Sequence, residues 1–141
     1  VYVNRDGGAT KGWFSGSAVQ SLTPFVYEVA QAVQDPEMPS RTLYDGWLEN
    51  ARARNPPKRG QPPLMTPKVA PLGAASDYAP FLHHVGVSAL DIGIGGETSN
   101  GTYHSIYDHP LWFKRFMDPG FKVNVAATRV TGIALMRLAE A

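Results

Sequence analysis

Glycine and proline set the limits on this fold. Fourteen glycines and twelve prolines stand among 141 residues, so regular elements must be short and loops long. Half of the prolines fall between Asn55 and Pro71, which reads as one extended surface loop at 55-71. Ahead of it, Val1 to Asn4 reads as a short strand with Asp6 at its end, and Gly7 to Gln20 as a Gly/Ser loop. Thr23 and Pro24 suit an N-cap and a first helical position, and Phe25, Val26, Val29, Ala30 and Val33 repeat at helical spacing. A second helix is expected over Thr42 to Arg52, with Leu43, Tyr44, Trp47 and Leu48 on one face.

Beyond the loop, Ser76-Asp77 is expected to cap a third helix that buries Tyr78, Phe81, Leu82 and Val85 and stops at Gly86. Val87 to Ile92 has strand length, and Gly93 to Thr102 reads as a glycine-rich loop. A fourth helix is expected near Pro110 to Met117 and a long fifth from Phe121. The charges of that last helix, Lys122, Arg129, Arg137 and Glu140, share one narrow stripe, which predicts burial on most other sides, against a sheet and a further domain. Strand, helix and strand in this order predict an α/β sheet flanked by helices.

A net charge of +1 gives no compositional ground for binding nucleic acid or an anionic membrane. The basic residues Arg52, Arg54, Lys58, Arg59 and Lys68 read as solvated loop charges, without the interleaved aromatics that single-strand binding favours. Zero cysteines exclude disulfides and thiolate zinc sites. No apolar run is long enough to span a bilayer, and no signal peptide is visible. The chain opens inside a strand without an initiator methionine, which predicts a piece of a longer protein.

Several stretches could carry chemistry. Gly93-Ile94-Gly95-Gly96 lacks the third glycine of a dinucleotide loop, since position 98 is threonine, and reads as a flexible substrate-side loop. His83 and His84 point about 100° apart on a helix and cannot chelate one metal. His109 precedes a helix start and reads as structural. Asn100-Gly101-Thr102 fits a glycosylation triplet and is expected to be unused. His104 is presented from a loop beside a phenol, Tyr103, and Asp6 ends a strand where open α/β sheets place functional groups. An imidazole and a carboxylate are both ordinary metal ligands.

Taken together, separated stretches of the chain resemble the zinc-dependent exopeptidase family of glutamate carboxypeptidase II, to which the transferrin receptor is related. They are Tyr2-Val3-Asn4-Arg5-Asp6, Ser21-Leu22-Thr23-Pro24, Leu43-Tyr44-Asp45-Gly46-Trp47, Gly73 to Phe81, Tyr103-His104-Ser105, and Leu111-Trp112 through Asp118-Pro119-Gly120-Phe121-Lys122. The resemblance implies a mixed, mainly parallel sheet of the three-layer zinc-peptidase type, of which these residues would form the second half of the protease domain. It implies a co-catalytic pair of zincs sharing a bridging water. Asp6 would ligate one zinc and His104 the other, while Tyr103 would donate to the oxyanion. Gly7, Ala74, Ala75, Ser76 and Asp91 would line the substrate pocket. The family's other ligands, its Glu-Glu pair included, have no counterpart here, and the chain alone is expected neither to hold two zincs tightly nor to hydrolyse peptides. By the same resemblance the parent protein would act on peptides, form a homodimer through a further domain, and sit outside the cytoplasm. Asp91 and Gly93 stand where glutamate carboxypeptidase II carries arginines, which implies a preference for neutral or basic residues or a free amine. The alternative is a non-catalytic, receptor-like member that binds a protein partner.

Overall fold

A computed structural model describes residues 1–6, 10–96 and 102–140. Its centre is a three-stranded mixed sheet of β1 (Tyr2–Asn4), β2 (Gly12–Ala18) and β3 (Ala89–Gly96), in the order β1-β3-β2. β1 runs parallel to β3 with Asn4 opposite Asp91, and β2 runs antiparallel to β3 with Phe14 opposite Ile94. The described sheet is therefore α/β in class and mixed, with one pairing of each sense.

β2 corrects the expected loop at 7–20. Its alternation is hidden because two of its three inward residues, Gly16 and Ala18, are small. A Cβ on Gly16 would stand 2.6 Å from Val26 Cγ1, so the first helix lies directly on the strand there. Similarly, Gly93–Gly96 is strand and not a flexible loop, because its backbone pairs with Gly12–Ser15. The far edge of β2 is covered by the proline-rich stretch. Ala18 N–H donates to Ala70 O, Ala70 N–H donates to Gly16 O, and the Tyr27 hydroxyl donates to Pro67 O at 2.7 Å.

Around the sheet lie α1 (Thr23–Gln31), α2 (Leu43–Arg54), α3 (Tyr78–His83), a short α4 (Pro110–Trp112) that widens into a π-turn over Phe113–Met117, and α5 (Lys122–Ala139). Phe14, Leu90, Ile92 and Ile94 form one sheet face and pack with Val26, Val29 and Ala30 of α1, Leu43 and Trp47 of α2, and Val123, Ala127 and Val130 of α5. α3 packs on the other face, where Phe81 stacks on Tyr2 at 4.2 Å.

Several local expectations change. A 3-10 turn at Gln20–Leu22 leads into α1, so Leu22 takes the cap position and Thr23 is already helical. Thr42 caps α2 in a full capping box with Asp45. In α3 only Tyr78 is buried; Phe81 and Val85 are exposed, since a six-residue helix touching the sheet through one turn cannot cover four side chains. α5 buries one face, while Val125, Leu135 and Met136 are exposed. Its first turn is capped by buried Asp118, whose carboxylate accepts from Val123 N–H at 3.2 Å and Asn124 N–H at 2.9 Å. Among the described residues no helix is long and apolar enough to cross a membrane.

Candidate functional site

Parallel pairing of β1 with β3 puts Asn4 beside Asp91, and two residues further on the chain reaches Asp6. Asn4 is 4% exposed, and its Nδ2 donates to Asp91 Oδ1 and to Ser76 Oγ, both at 3.1 Å. Ser76 Oγ in turn donates to Asp6 Oδ2 at 2.5 Å. Three segments far apart in sequence thus meet in one polar chain, Asp91–Asn4–Ser76–Asp6. The 73–83 segment is held there by the Tyr2–Phe81 stack and by a 2.8 Å contact between His83 Nε2 and Gly73 O.

The electrostatics follow from this arrangement. Burial raises the Asp91 pKa above its ordinary 3.8, the Asn4 amide works against that, and the Asp6 carboxylate raises it further. Asp6 itself is exposed, with one carboxylate oxygen held by Ser76.

Of the residues singled out from sequence, Asp6, Ser76 and Asp91 converge. Ala74 and Ala75 are exposed on the segment that carries Ser76. Gly7 lies outside the described residues, as do Thr98 and Asn100. His104 and Tyr103 stack on each other with ring centroids 3.8 Å apart, and His104 N–H reaches Asp108 Oδ2 at 3.4 Å. His104 has φ +60°, a left-handed conformation that a non-glycine residue seldom adopts. Tyr103 is 79% exposed. Among the described residues no hydrogen bond or ring contact joins this pair to Asp6 or Asp91.

The donor chemistry, carboxylate and imidazole, suits zinc. Among the described residues, however, no three histidine, aspartate or glutamate side chains gather into a metal-binding group. The residues fit as individual ligands, not as a complete cage. Asn4 is the participant that sequence reading missed. Its signal was a polar residue facing away from Val3 in an otherwise apolar strand, and it acquires meaning only through the register with Asp91.

No family model matches the chain. Among curated proteins it is 32% identical over 140 residues to the probable glutamate carboxypeptidase LAMP1 of Arabidopsis thaliana, a match covering 99% of this chain and 18% of the relative. It is 30% identical over 128 residues to the aminopeptidase NAALADL1 of Rattus norvegicus, covering 86% of this chain and 16% of the relative. It is 30% identical over 130 residues to the probable glutamate carboxypeptidase VP8 of Zea mays, covering 92% and 16%. This chain belongs to the glutamate carboxypeptidase II-like family. It spans less than a fifth of the length of these relatives.

Within this family member, Asp91 gives a pH-dependent prediction. Its folded pKa lies above the unfolded value, so its contribution to stability is fully present below the unfolded value and is lost as pH rises through the folded one. Asp91→Asn keeps an acceptor for Asn4 and removes the charge. The variant is expected to be at least as stable as the parent at pH 7, with the difference shrinking toward pH 4. Urea midpoints at the two pH values test this, and an Asp91→Asn chain that is less stable at pH 7 contradicts it.

Proposed function

We propose that these residues supply part of the active site of a co-catalytic dizinc exopeptidase, with the remaining ligands on polypeptide outside this segment. The observation that carries the reading is the meeting of Asp6 and Asp91, through Asn4 and Ser76, beside the parallel β1–β3 pair. The names of the relatives, a carboxypeptidase and an aminopeptidase among them, support peptide hydrolysis.

In this reading Asp6 and His104 each hold a different zinc, in a three-layer peptidase fold to which this sheet contributes. Zinc, when bound, would polarise the substrate carbonyl and lower the pKa of a bound water. Ser76 fixes the orientation of Asp6 through one carboxylate oxygen, the usual way an outer partner aims a ligand. Tyr103 offers a solvent-facing hydroxyl as oxyanion donor. Asp91 places negative charge on the pocket wall and disfavours an acidic substrate residue; neutral or basic residues, or a free amine, fit better.

The test compares two proteins. The longer polypeptide that contains this segment should hydrolyse dipeptides with zinc, and Asp6→Asn or His104→Ala should lower kcat/KM by about 100-fold or more. The 141-residue chain should bind fewer than two zincs tightly by calorimetry and show no hydrolysis. Two tightly bound zincs on the short chain would refute the division of ligands. Full activity in both variants would refute the assignment, and absence of hydrolysis in the zinc-loaded longer protein would favour a receptor-like role. Comparison of peptides ending in Glu, Leu and Lys tests Asp91, and a clear preference for Glu removes the specificity argument.

A further inference from the structure

An opening lies beyond the aspartate cluster, toward the Gly96 end of β3. It is a cleft of about 470 Å³ lined in part by Trp13, Ser15, Trp47, Arg54, Gly93 and Gly95. Gly93 pairs with Ser15 and Gly95 with Trp13, so the floor is two small residues and the wall beside it is an indole.

Gly93 is the informative residue. A glycine inside a strand weakens it and needs a reason. At Gly16 the reason is packing, because Val26 occupies the space of a Cβ. At Gly93 nothing lies within 4 Å of where a Cβ would stand, and the backbone is not in the positive-φ region. Neither neighbours nor conformation demand glycine. What its missing side chain does is keep the floor of the cleft open.

The rim carries a cation with no acid attached. Arg54 Cζ stands 4.9 Å from the Trp13 ring centroid, and no ion pair to Arg54 occurs among the described residues. Stacking on an indole holds a guanidinium in place while its N–H edge stays free to bind an anion. A slot of this size, with indole and bare strand backbone on one side and a placed guanidinium on its rim, matches a flat ring bearing a carboxylate.

We infer that this cleft binds a planar aromatic carboxylate, with the ring over Gly93 and Ser15 beside Trp13 and the carboxylate on Arg54. The site needs no metal and does not rest on the peptidase reading.

The experiment is a titration of ¹⁵N-labelled protein with 3-phenylpropionate, followed through the indole N–H signals of its three tryptophans. The Trp13 and Trp47 signals should shift saturably and Trp112 should not. The dissociation constant should be in the low-millimolar range, as a ligand of about eleven heavy atoms allows. The neutral amide, 3-phenylpropanamide, should bind about fivefold or more weaker, and Arg54→Gln should erase that difference. Gly93→Val should remain folded with a melting temperature no lower than the parent's, because valine favours strands and meets open space, yet should lose the shifts. Absence of saturable shifts at Trp13 and Trp47 overturns the inference. So does equal binding of acid and amide, or undiminished binding by folded Gly93→Val. Arg54→Gln alters an exposed residue and keeps the carboxylate claim testable if the valine variant does not fold.

Discussion

Phe14→Ala is expected to destabilise the chain by about 3 to 5 kcal/mol, the usual range for removing a buried aromatic side chain. Phe14 is 1% exposed and stands on β2 directly opposite Ile94 of β3. Its ring meets Trp47 edge to face, with centroids 5.3 Å apart and planes at 67°. The ring therefore joins the sheet to α2, and truncation leaves a void between elements that cannot close without moving a strand or a helix. Phe14→Leu retains most of the volume and should cost less than about 1.5 kcal/mol. Equilibrium urea unfolding measures both. A loss below about 1 kcal/mol for the alanine variant would show that the sheet and α2 are not joined here as described.

Arg41→Ala should follow at about 3 kcal/mol, the lower end for orphaning a buried charge, because the pair retains some contact with solvent. Asp35 is 7% exposed, and Arg41 meets its Oδ2 through Nε and Nη2, each at 2.8 Å. A further arm of Arg41 reaches Glu49 on α2. The other oxygen of Asp35 accepts from Glu37 N–H, so the pair closes the turn joining α1 to α2. Deleting the guanidinium leaves a buried carboxylate without its charge partner at Oδ2. Arg41→Lys should recover only part of the loss, since an ammonium cannot make the forked contact. A cost near zero in urea, with no dependence on salt, would mean that the pair contributes nothing to the fold.

The same pair explains a glycine that helix propensity would reject. Gly46 lies inside α2, and a Cβ there would stand 2.8 Å from Asp35 Oδ2 and 3.3 Å from two nitrogens of Arg41. The ion pair rests flat on the helix where no side chain stands. In Leu43-Tyr44-Asp45-Gly46-Trp47 the glycine makes room for a neighbour, Trp47 fills the core, and Asp45 completes the cap.

How much of the molecule is legible in its sequence varies with the range of the interaction. α1, α2 and α5 were readable because the spacing of apolar residues, and of the charges in α5, is set within a few residues. β2 was not. Its inward positions are chosen to admit Val26, and a strand that contributes space in place of bulk leaves no alternating pattern. For α5, apolar residues around a cylinder do not reveal which of them find a partner within these 141 residues, and the sheet covers one face.

For the candidate site, the sequence by itself determined the residue types: a carboxylate after a short strand, a histidine beside a tyrosine in a loop, and the resemblance that gave them roles. Tertiary structure alone decided that Asp91 comes to Asp6 through Asn4 and Ser76, because those contacts cross 70 to 87 residues of chain and depend on strand register. It also decided that Gly93 opens a cleft where Gly16 accepts a helix. The two glycines are identical in sequence, and only what stands above each one differs.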